Sequence, residues 1–238
     1  MRLTSEIHSD LKVWAGFLLD GNEWLPIPSE PSFPPIIHKE FTSDAAGLSD
    51  IKGDSGVAAI GVDEEGILIF AARVFWDDRM LRRMRSGVKD VMGNDTVFLE
   101  AVGILLPFVL IPERLMHQHV VCKMDNIACF YSWDKKYVKE DIYTTIIFRS
   151  LFLISSFLAT IVHVKHLPRM TTWEARLTDR LSRRSSTSHG DRELLKSFGD
   201  LEAPQFFKSW LDDPTPDWDL PLKLICFVES CINKARLI

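Results

Sequence analysis

Three stretches in the first third of the chain are either alternating or continuously apolar, and both patterns are typical of β-strands. They cover residues 36–45, 56–62 and 67–75. The second and third stretches are separated only by the short turn sequence Asp63-Glu64-Glu65-Gly66. Because connections this short join antiparallel neighbours, we predict an antiparallel meander of three strands.

Beyond the meander, longer apolar runs with helical spacing alternate with two short apolar runs. We predict helices over residues 94–110, 126–133, 139–159 and 171–182, and strands over residues 119–124 and 160–165. Since a helical crossover joins strands that run parallel, the last two strands should extend the meander in parallel. The predicted fold class is α/β, with a mixed five-stranded sheet and flanking helices.

Further segments flank this central domain. Residues 5–19 have the spacing of an amphipathic helix, and the proline-rich residues 26–35 predict an extended connector. A serine-rich linker is predicted at residues 183–190. The three helices of a C-terminal extension are expected at residues 191–198, 204–211 and 220–236. The predicted units are an N-terminal helix and connector, a central domain, and a linker with a helical extension: residues 1–35, 36–183 and 184–238.

The composition narrows the class of protein. The 238 residues are 46% hydrophobic and carry a formal net charge of −5, which allows one sizeable core. The negative net charge argues against a generally basic nucleic-acid-binding protein, although it is compatible with a local basic surface. None of the four cysteines has metal-binding C-x-x-C spacing, and Cys122 and Cys129 lie in apolar surroundings. Buried thiols predict a reducing, intracellular compartment, either cytoplasmic or nuclear.

The longest apolar segment, residues 142–164, does not predict a membrane span. It contains Arg149 and several serine and threonine residues, so a buried helix followed by a buried strand is the better interpretation. The N-terminal residues also lack the shape of a signal peptide.

Four acidic residues lie at the edges of predicted core elements. They are Asp44 in the first strand, Glu100 in the helix after the meander, Asp125 at the end of the fourth strand and Asp179 in the last helix of the central domain. Burying a carboxylate without a partner is costly. If the first and fourth strands are adjacent and parallel, Asp44 and Asp125 lie side by side. Carboxylate ligands favour Mg²⁺ or Mn²⁺, so the sequence predicts a divalent-metal site. The alternative is a set of unrelated surface acids.

The short sequence motifs around these four acids resemble those of the ribonuclease H domain of reverse transcriptases. TSDAAG (42–47) and FLEAV (98–102) resemble the family words "TDASG" and "EL-A". KMDNIA (123–128) and LTDRLSR (177–183) resemble "TDN-A" and "AD-LSR". The last two are most similar to retrotransposon domains, especially the tyrosine-recombinase (DIRS-like) type. The resemblance covers about residues 5–185.

This resemblance implies a ribonuclease H-like fold and a metal-dependent endonuclease that cuts the RNA strand of RNA–DNA hybrids. Asp44 and Asp125 would bridge two Mg²⁺ or Mn²⁺ ions, Glu100 would hold one ion, and Asp179 would hold the other. Water is the implied nucleophile, and duplex shape and 2′-hydroxyl groups would determine recognition.

The sequence also departs from the family pattern near the fourth acid. Ala175 stands where the family usually has Asn, and Arg169 follows His166-Leu167-Pro168 where a glycine is usual. These changes affect the residues around Asp179, the expected fourth metal ligand, and the contacts expected with substrate. An ordinary helix-surface acid near Arg176 and Arg183 is the alternative role for Asp179.

Several residues are candidates for contacts with nucleic acid. A basic segment after the meander either binds phosphates or is a solvated loop. His166 could assist product release, although a structural histidine is the simpler interpretation. The complete set of candidates is Arg79, Arg82, Arg83, Arg85, Asn126, His166 and Arg180.

Two other functions stay open at this point. The chain could be an inactive ribonuclease H-like fold that docks a protein or RNA, with the C-terminal helices binding a protein partner. It could also be a related nuclease or transposase-type enzyme that acts on DNA, because the same acidic cluster serves both reactions. The sequence does not indicate an oligomeric state.

Overall fold

The computed structural model describes the central sheet and most of the helices. The described residues are 11, 12, 15, 39–47, 51–76, 94–135, 141–169, 171–199, 201–212 and 217–236. The predicted N-terminal helix and connector lie almost entirely outside these residues. The basic candidates Arg79, Arg82, Arg83 and Arg85 also lie outside them.

Five strands form one mixed sheet, as predicted. They are β1 (Lys39–Ala45), β2 (Gly56–Val62), β3 (Leu68–Phe75), β4 (His119–Met124) and β5 (Ile161–His166). The order across the sheet is β3-β2-β1-β4-β5. The first three strands pair antiparallel, whereas β4 pairs parallel with both β1 and β5. The first and fourth strands are therefore adjacent and parallel, which is the condition for Asp44 and Asp125 to lie side by side.

Helices flank the sheet on both faces. In chain order they are α1 (Asn94–Leu110), α2 (Ile127–Lys135), α3 (Ile142–Phe157), α4 (Trp173–Leu181), α5 (His189–Ser197), α6 (Gln205–Asp212) and α7 (Leu220–Ala235). The largest hydrophobic core lies between the sheet and helices α1 and α3. A smaller core on the opposite face joins β2 and β3 to α4 and α5. The predicted mixed sheet with flanking helices is confirmed.

The segment between residues 142 and 164 folds as the helix α3 followed by β5, as predicted. Within the described part of the chain, no helix combines the length and apolar character needed to cross a membrane. Cys122 and Cys129 are buried thiols, which also agrees with the sequence.

The C-terminal helices contribute to the main core. Phe207 and Trp210 of α6, and Leu224 and Val228 of α7, belong to the same hydrophobic cluster as the residues of α1 and α3. The serine-rich segment before α5 is held against the loop that precedes β2. There the buried Asp54 side chain accepts hydrogen bonds from Ser185 N, at 2.6 Å, and from Ser185 Oγ, at 3.0 Å.

A glycine sets the distance between α1 and the sheet. A Cβ atom at Gly103 would lie 2.9 Å from the Ser43 Cβ atom and 2.9 Å from the Val57 Cγ2 atom. Because any larger residue would force these groups apart, Gly103 allows α1 to lie directly on β1 and β2. Glu100 precedes Gly103 by three residues, so the two share one face of the helix. This close packing places the Glu100 side chain at β1.

Candidate metal centre

Three carboxylates from three different elements meet at one end of the sheet. Asp44 lies near the end of β1, Asp125 directly follows β4, and Glu100 lies on α1. The parallel register pairs Thr42 with Lys123, so two residues further along each strand the chain reaches Asp44 and Asp125. One carboxylate oxygen from each of the three acids lies within 4.8 Å of the others. The predicted grouping of these three acids is therefore present in the structure.

Glu100 is the most deeply buried member of the cluster. Its side chain is 1% exposed. Its Oε1 atom accepts a hydrogen bond from the Ala45 backbone N–H at 3.1 Å, whereas Oε2 is buried and has no hydrogen-bond partner among the described residues. Burial, reinforced by the neighbouring charge of Asp44, raises the Glu100 pKa well above its usual value. A carboxylate oxygen in this position requires either a proton or a cation.

Asp44 is also buried but has a hydroxyl group beside it. Burial raises its pKa from 3.8 to about 7, and the charges of Asp125 and Asp179 act in the same direction. The Ser182 hydroxyl lies 3.1 Å from Asp44 Oδ2 and opposes this shift by donating a hydrogen bond. Near neutral pH, Asp44 is therefore poised between its protonated and ionised forms.

This shift makes the stability of the metal-free protein depend on pH. A folded-state pKa above the unfolded-state value favours the folded state fully below about pH 4, and that contribution is lost as the pH rises through about 7. In EDTA, we therefore expect the thermal unfolding midpoint to fall between about pH 5 and about pH 8. A shift from 3.8 to about 7 corresponds to at most about 4 kcal/mol. Asp44→Asn should remove the part of this dependence that comes from Asp44, while the part that comes from Glu100, whose pKa burial also raises, should stay. A midpoint that is constant or rises over this range would contradict the prediction.

Asp179 lies at the open side of the cluster and is paired with arginines. It lines one cleft together with Asp44, Asp125 and Arg169. Its Oδ1 atom lies 3.6 Å from Arg169 Nη2 and 3.6 Å from Arg183 Nη2. The structure thus brings the fourth predicted acid to the site, but outside the compact group of three. The pairing with Arg183 is also the helix-surface contact that the alternative interpretation anticipated.

Three other predicted residues have identifiable partners. The Asn126 side-chain oxygen accepts a hydrogen bond from Cys129 N at 3.0 Å, at the start of α2. His166 Nε2 lies 3.0 Å from the Asp125 backbone oxygen, where it can donate a hydrogen bond. Arg180 donates to Asp191 through Nε, at 3.3 Å, and through Nη2, at 2.9 Å, which joins α4 to α5. Contacts of these residues with nucleic acid stay a prediction.

The donor atoms of this cluster fit a divalent metal ion. All three compact ligands are carboxylates, the type of donor that suits Mg²⁺ and Mn²⁺. The unpartnered Glu100 Oε2 atom supplies an independent indication, because a cation beside it would satisfy an otherwise orphaned buried oxygen.

Two residues of the site were not predicted as functional from the sequence. Arg169 appeared only as a departure from the family pattern, although its guanidinium pairs with both Asp125 and Asp179. Ser182 lies three residues after Asp179. Its position in the "AD-LSR" motif is the only sequence signal that could have indicated a role in the site. Both contacts depend on how the loop before α4 and the end of α4 fold back on β1.

No protein-family model and no curated protein matches the sequence. Among solved structures, LC11-RNase H1, isolated from compost by a metagenomic approach, is 14% identical, has a TM-score of 0.45, and aligns over 67% of this chain and 99% of its own. RNase H1 from the halophilic archaeon Halobacterium salinarum NRC-1 is 10% identical, with a TM-score of 0.40 over 62% of this chain and 96% of its own. The foamy viral protease–reverse transcriptase, solved with an RNA/DNA hybrid, is 13% identical, with a TM-score of 0.41 over 76% of this chain and 26% of its own.

These structural neighbours are ribonuclease H proteins, including a retroviral protein with a reverse transcriptase. The closer relation to the tyrosine-recombinase (DIRS-like) retrotransposon type that the sequence words suggested is not supported by them. Because the similarities are distant, the chemistry of the site has to be inferred from its own residues.

Proposed function

We propose that this protein is a metal-dependent ribonuclease H, an endonuclease that cuts the RNA strand of RNA–DNA hybrids. The observation that carries the proposal is the buried, unpartnered oxygen of Glu100, within a group of three carboxylates whose oxygens lie within 4.8 Å of one another. A solvated surface cluster of acids would not leave such an oxygen inside the core.

The residues of the site would hold the ion in a fixed place. Asp44, Glu100 and Asp125 would be its protein ligands, and Asp179 would lie at the edge where substrate enters. The ion would supply positive charge against the phosphate and activate a water molecule for attack. The Ala45 N–H group fixes one Glu100 oxygen, and the Ser182 hydroxyl fixes one Asp44 oxygen. These hydrogen bonds orient the carboxylates before an ion binds, which reduces the reorganisation that binding requires.

Hybrid specificity and a retroelement origin are further parts of the proposal. Both are motivated by the resemblance of the words around Asp44, Glu100, Asp125 and Asp179 to those of reverse-transcriptase ribonuclease H domains. Mg²⁺ is proposed as the ion because its hard, all-oxygen coordination matches the carboxylate ligands, with Mn²⁺ as the substitute. An intracellular location, cytoplasmic or nuclear, belongs to the same proposal.

A panel of end-labelled substrates tests this function. Wild-type protein would be incubated with an RNA–DNA hybrid, double-stranded RNA, double-stranded DNA and single-stranded RNA, each in Mg²⁺, Mn²⁺ or EDTA. We expect cleavage of the RNA strand of the hybrid only, and only with a divalent ion. Cleavage of double-stranded DNA in preference to the hybrid would favour the transposase-type alternative.

One observation favours the alternative function, an inactive docking module. Arg169 pairs with two acids of the site, Asp125 and Asp179. If the fold is inactive and binds no metal, Mg²⁺ should not raise the thermal unfolding midpoint at any concentration in the millimolar range. A metal-dependent rise that is lost in Glu100→Gln would argue against this second candidate.

A further inference from the structure

Arg169 bridges two carboxylates of the candidate metal centre. It lies in the connection between β5 and α4, and its side chain is 65% exposed. Its Nε atom lies 3.8 Å from Asp125 Oδ2, and its Nη2 atom lies 3.6 Å from Asp179 Oδ1. One guanidinium group therefore pairs with both acids, and its charge also acts on Asp44 and Glu100.

The charges of the site also limit how many ions it can hold. The four acids Asp44, Glu100, Asp125 and Asp179 carry four negative charges when ionised, and the guanidinium groups of Arg169 and Arg183 bring two positive charges to Asp179. The remaining formal charge of minus two equals the charge of one divalent cation. The charge balance therefore corresponds to a single ion.

We propose that Arg169 is the second cation of this site, so that the protein holds one divalent ion, at Asp44, Glu100 and Asp125, and not the two that the family resemblance implies. This inference rests on the proposed function. Asp179 then serves to hold the guanidinium in place and is not a metal ligand.

An arginine in this position has a clear use in phosphodiester cleavage. Its planar group offers several N–H donors that match the oxygens of a phosphate, and it keeps its charge at any relevant pH. Because the side chain is mostly exposed, its free N–H groups can reach a phosphate of a bound nucleic acid without movement of the sheet or of α4. Arg169 would therefore position the phosphate that a second ion holds in a two-ion site.

Mn²⁺ binding to the free protein tests this inference without measuring activity. The binding stoichiometry would be determined by calorimetry, and electron paramagnetic resonance would distinguish an isolated Mn²⁺ ion from a magnetically coupled pair. The proteins would be wild type, Arg169→Gln, Arg169→Lys and Arg176→Gln. Arg176 is the matched control, because it is an exposed arginine on α4 and its loss changes the net charge by the same amount.

We expect one isolated Mn²⁺ ion per chain in the wild type, in Arg169→Lys and in Arg176→Gln. In Arg169→Gln, a second Mn²⁺ ion should bind at least about tenfold more tightly than any second ion in the wild type, and a coupled signal should appear. Two coupled ions in the wild type, or a single ion in Arg169→Gln, would overturn the inference while leaving the proposed function intact. Failure of all four proteins to bind Mn²⁺ would overturn both.

Discussion

Asp125→Asn and Asp44→Asn are each expected to reduce cleavage of an RNA–DNA hybrid by at least about 1,000-fold. Asparagine has nearly the same shape as aspartate but lacks the charge, so each variant removes one anionic ligand while the packing of the site is preserved. Asp44 is only 8% exposed, and replacing its buried charge by a neutral amide should leave the metal-free protein at least as stable above about pH 7. Initial rates at saturating Mg²⁺, together with circular dichroism of each variant, measure the two effects separately.

Asp219→Asn is the matched control for these variants. Asp219 is half exposed, pairs with Lys12 at 3.6 Å and makes no side-chain cap bond at the start of α7. This variant should cleave the hybrid at the wild-type rate. If both Asp44→Asn and Asp125→Asn cut the hybrid as fast as the control, the metal centre described above is not the active site.

Phe207→Ala should destabilise the whole described fold by about 3–5 kcal/mol. Phe207 is fully buried, and its ring stacks on Trp210 with a centroid separation of 6.3 Å. The Trp210 ring in turn lies 6.0 Å from that of Phe98, which precedes Glu100 by two residues on α1. The cavity left by alanine would therefore weaken the packing behind the helix that carries Glu100. Urea unfolding followed by circular dichroism and tryptophan fluorescence would measure the loss.

The neighbouring residue provides the control for this second prediction. Phe206 is 37% exposed and its ring contacts Phe227, at a centroid separation of 6.1 Å. Phe206→Ala should cost less, about 1–2 kcal/mol, because more than a third of the residue's surface is already exposed to solvent. If Phe207→Ala unfolds only the C-terminal helices in a separate early transition, the extension is an independent unit and this interpretation of the core is wrong.

This packing also bears on the alternative of a docking module. A protein partner that bound through Phe207, Trp210 or Leu224 would have to remove these side chains from the main core. Such a partner is therefore more consistent with the exposed faces of α6 and α7 than with their apolar residues.

The helices and strands followed from the sequence because their signals are local. Helix α3 illustrates how close the boundaries came. We predicted a start at residue 139, whereas the helix begins at Ile142, after Asp141, whose side chain accepts a hydrogen bond from Thr144 N at 2.9 Å. The apolar periodicity indicated the helix, and the capping residue determined its first turn. The parallel direction of β4 followed from the helical crossover between β3 and β4, whereas its position beside β1 had no local signal.

Other parts of the site depend on contacts between distant segments, which no local pattern reports. The ion pairs of Arg169 require a particular conformation of the connection between β5 and α4. The hydrogen bond from Ser182 to Asp44 joins residues 138 positions apart. The packing of Trp210 against Phe98 likewise depends on the path of the chain after α5. The sequence therefore predicted which acids meet and anticipated Arg183 beside Asp179, but it indicated neither the pairing of Arg169 nor that of the Ser182 hydroxyl group.

The close contact at Gly103 has a consequence for the choice of metal. With α1 resting directly on β1, the backbone positions of Glu100 and Asp44 cannot move together or apart without disturbing the core. Asp125 lies just past the end of β4, outside the contact between α1 and β1. The positions of Glu100 and Asp44 are thus fixed relative to each other, whereas the position of Asp125 can adjust. If the site holds a metal ion as proposed, any difference in radius between Mg²⁺, Mn²⁺ and Ca²⁺ has to be accommodated on the Asp125 side, which is paired with Arg169. Exchanging the ion should therefore change the contacts with the substrate phosphate more than it changes the affinity of the buried carboxylates for the ion.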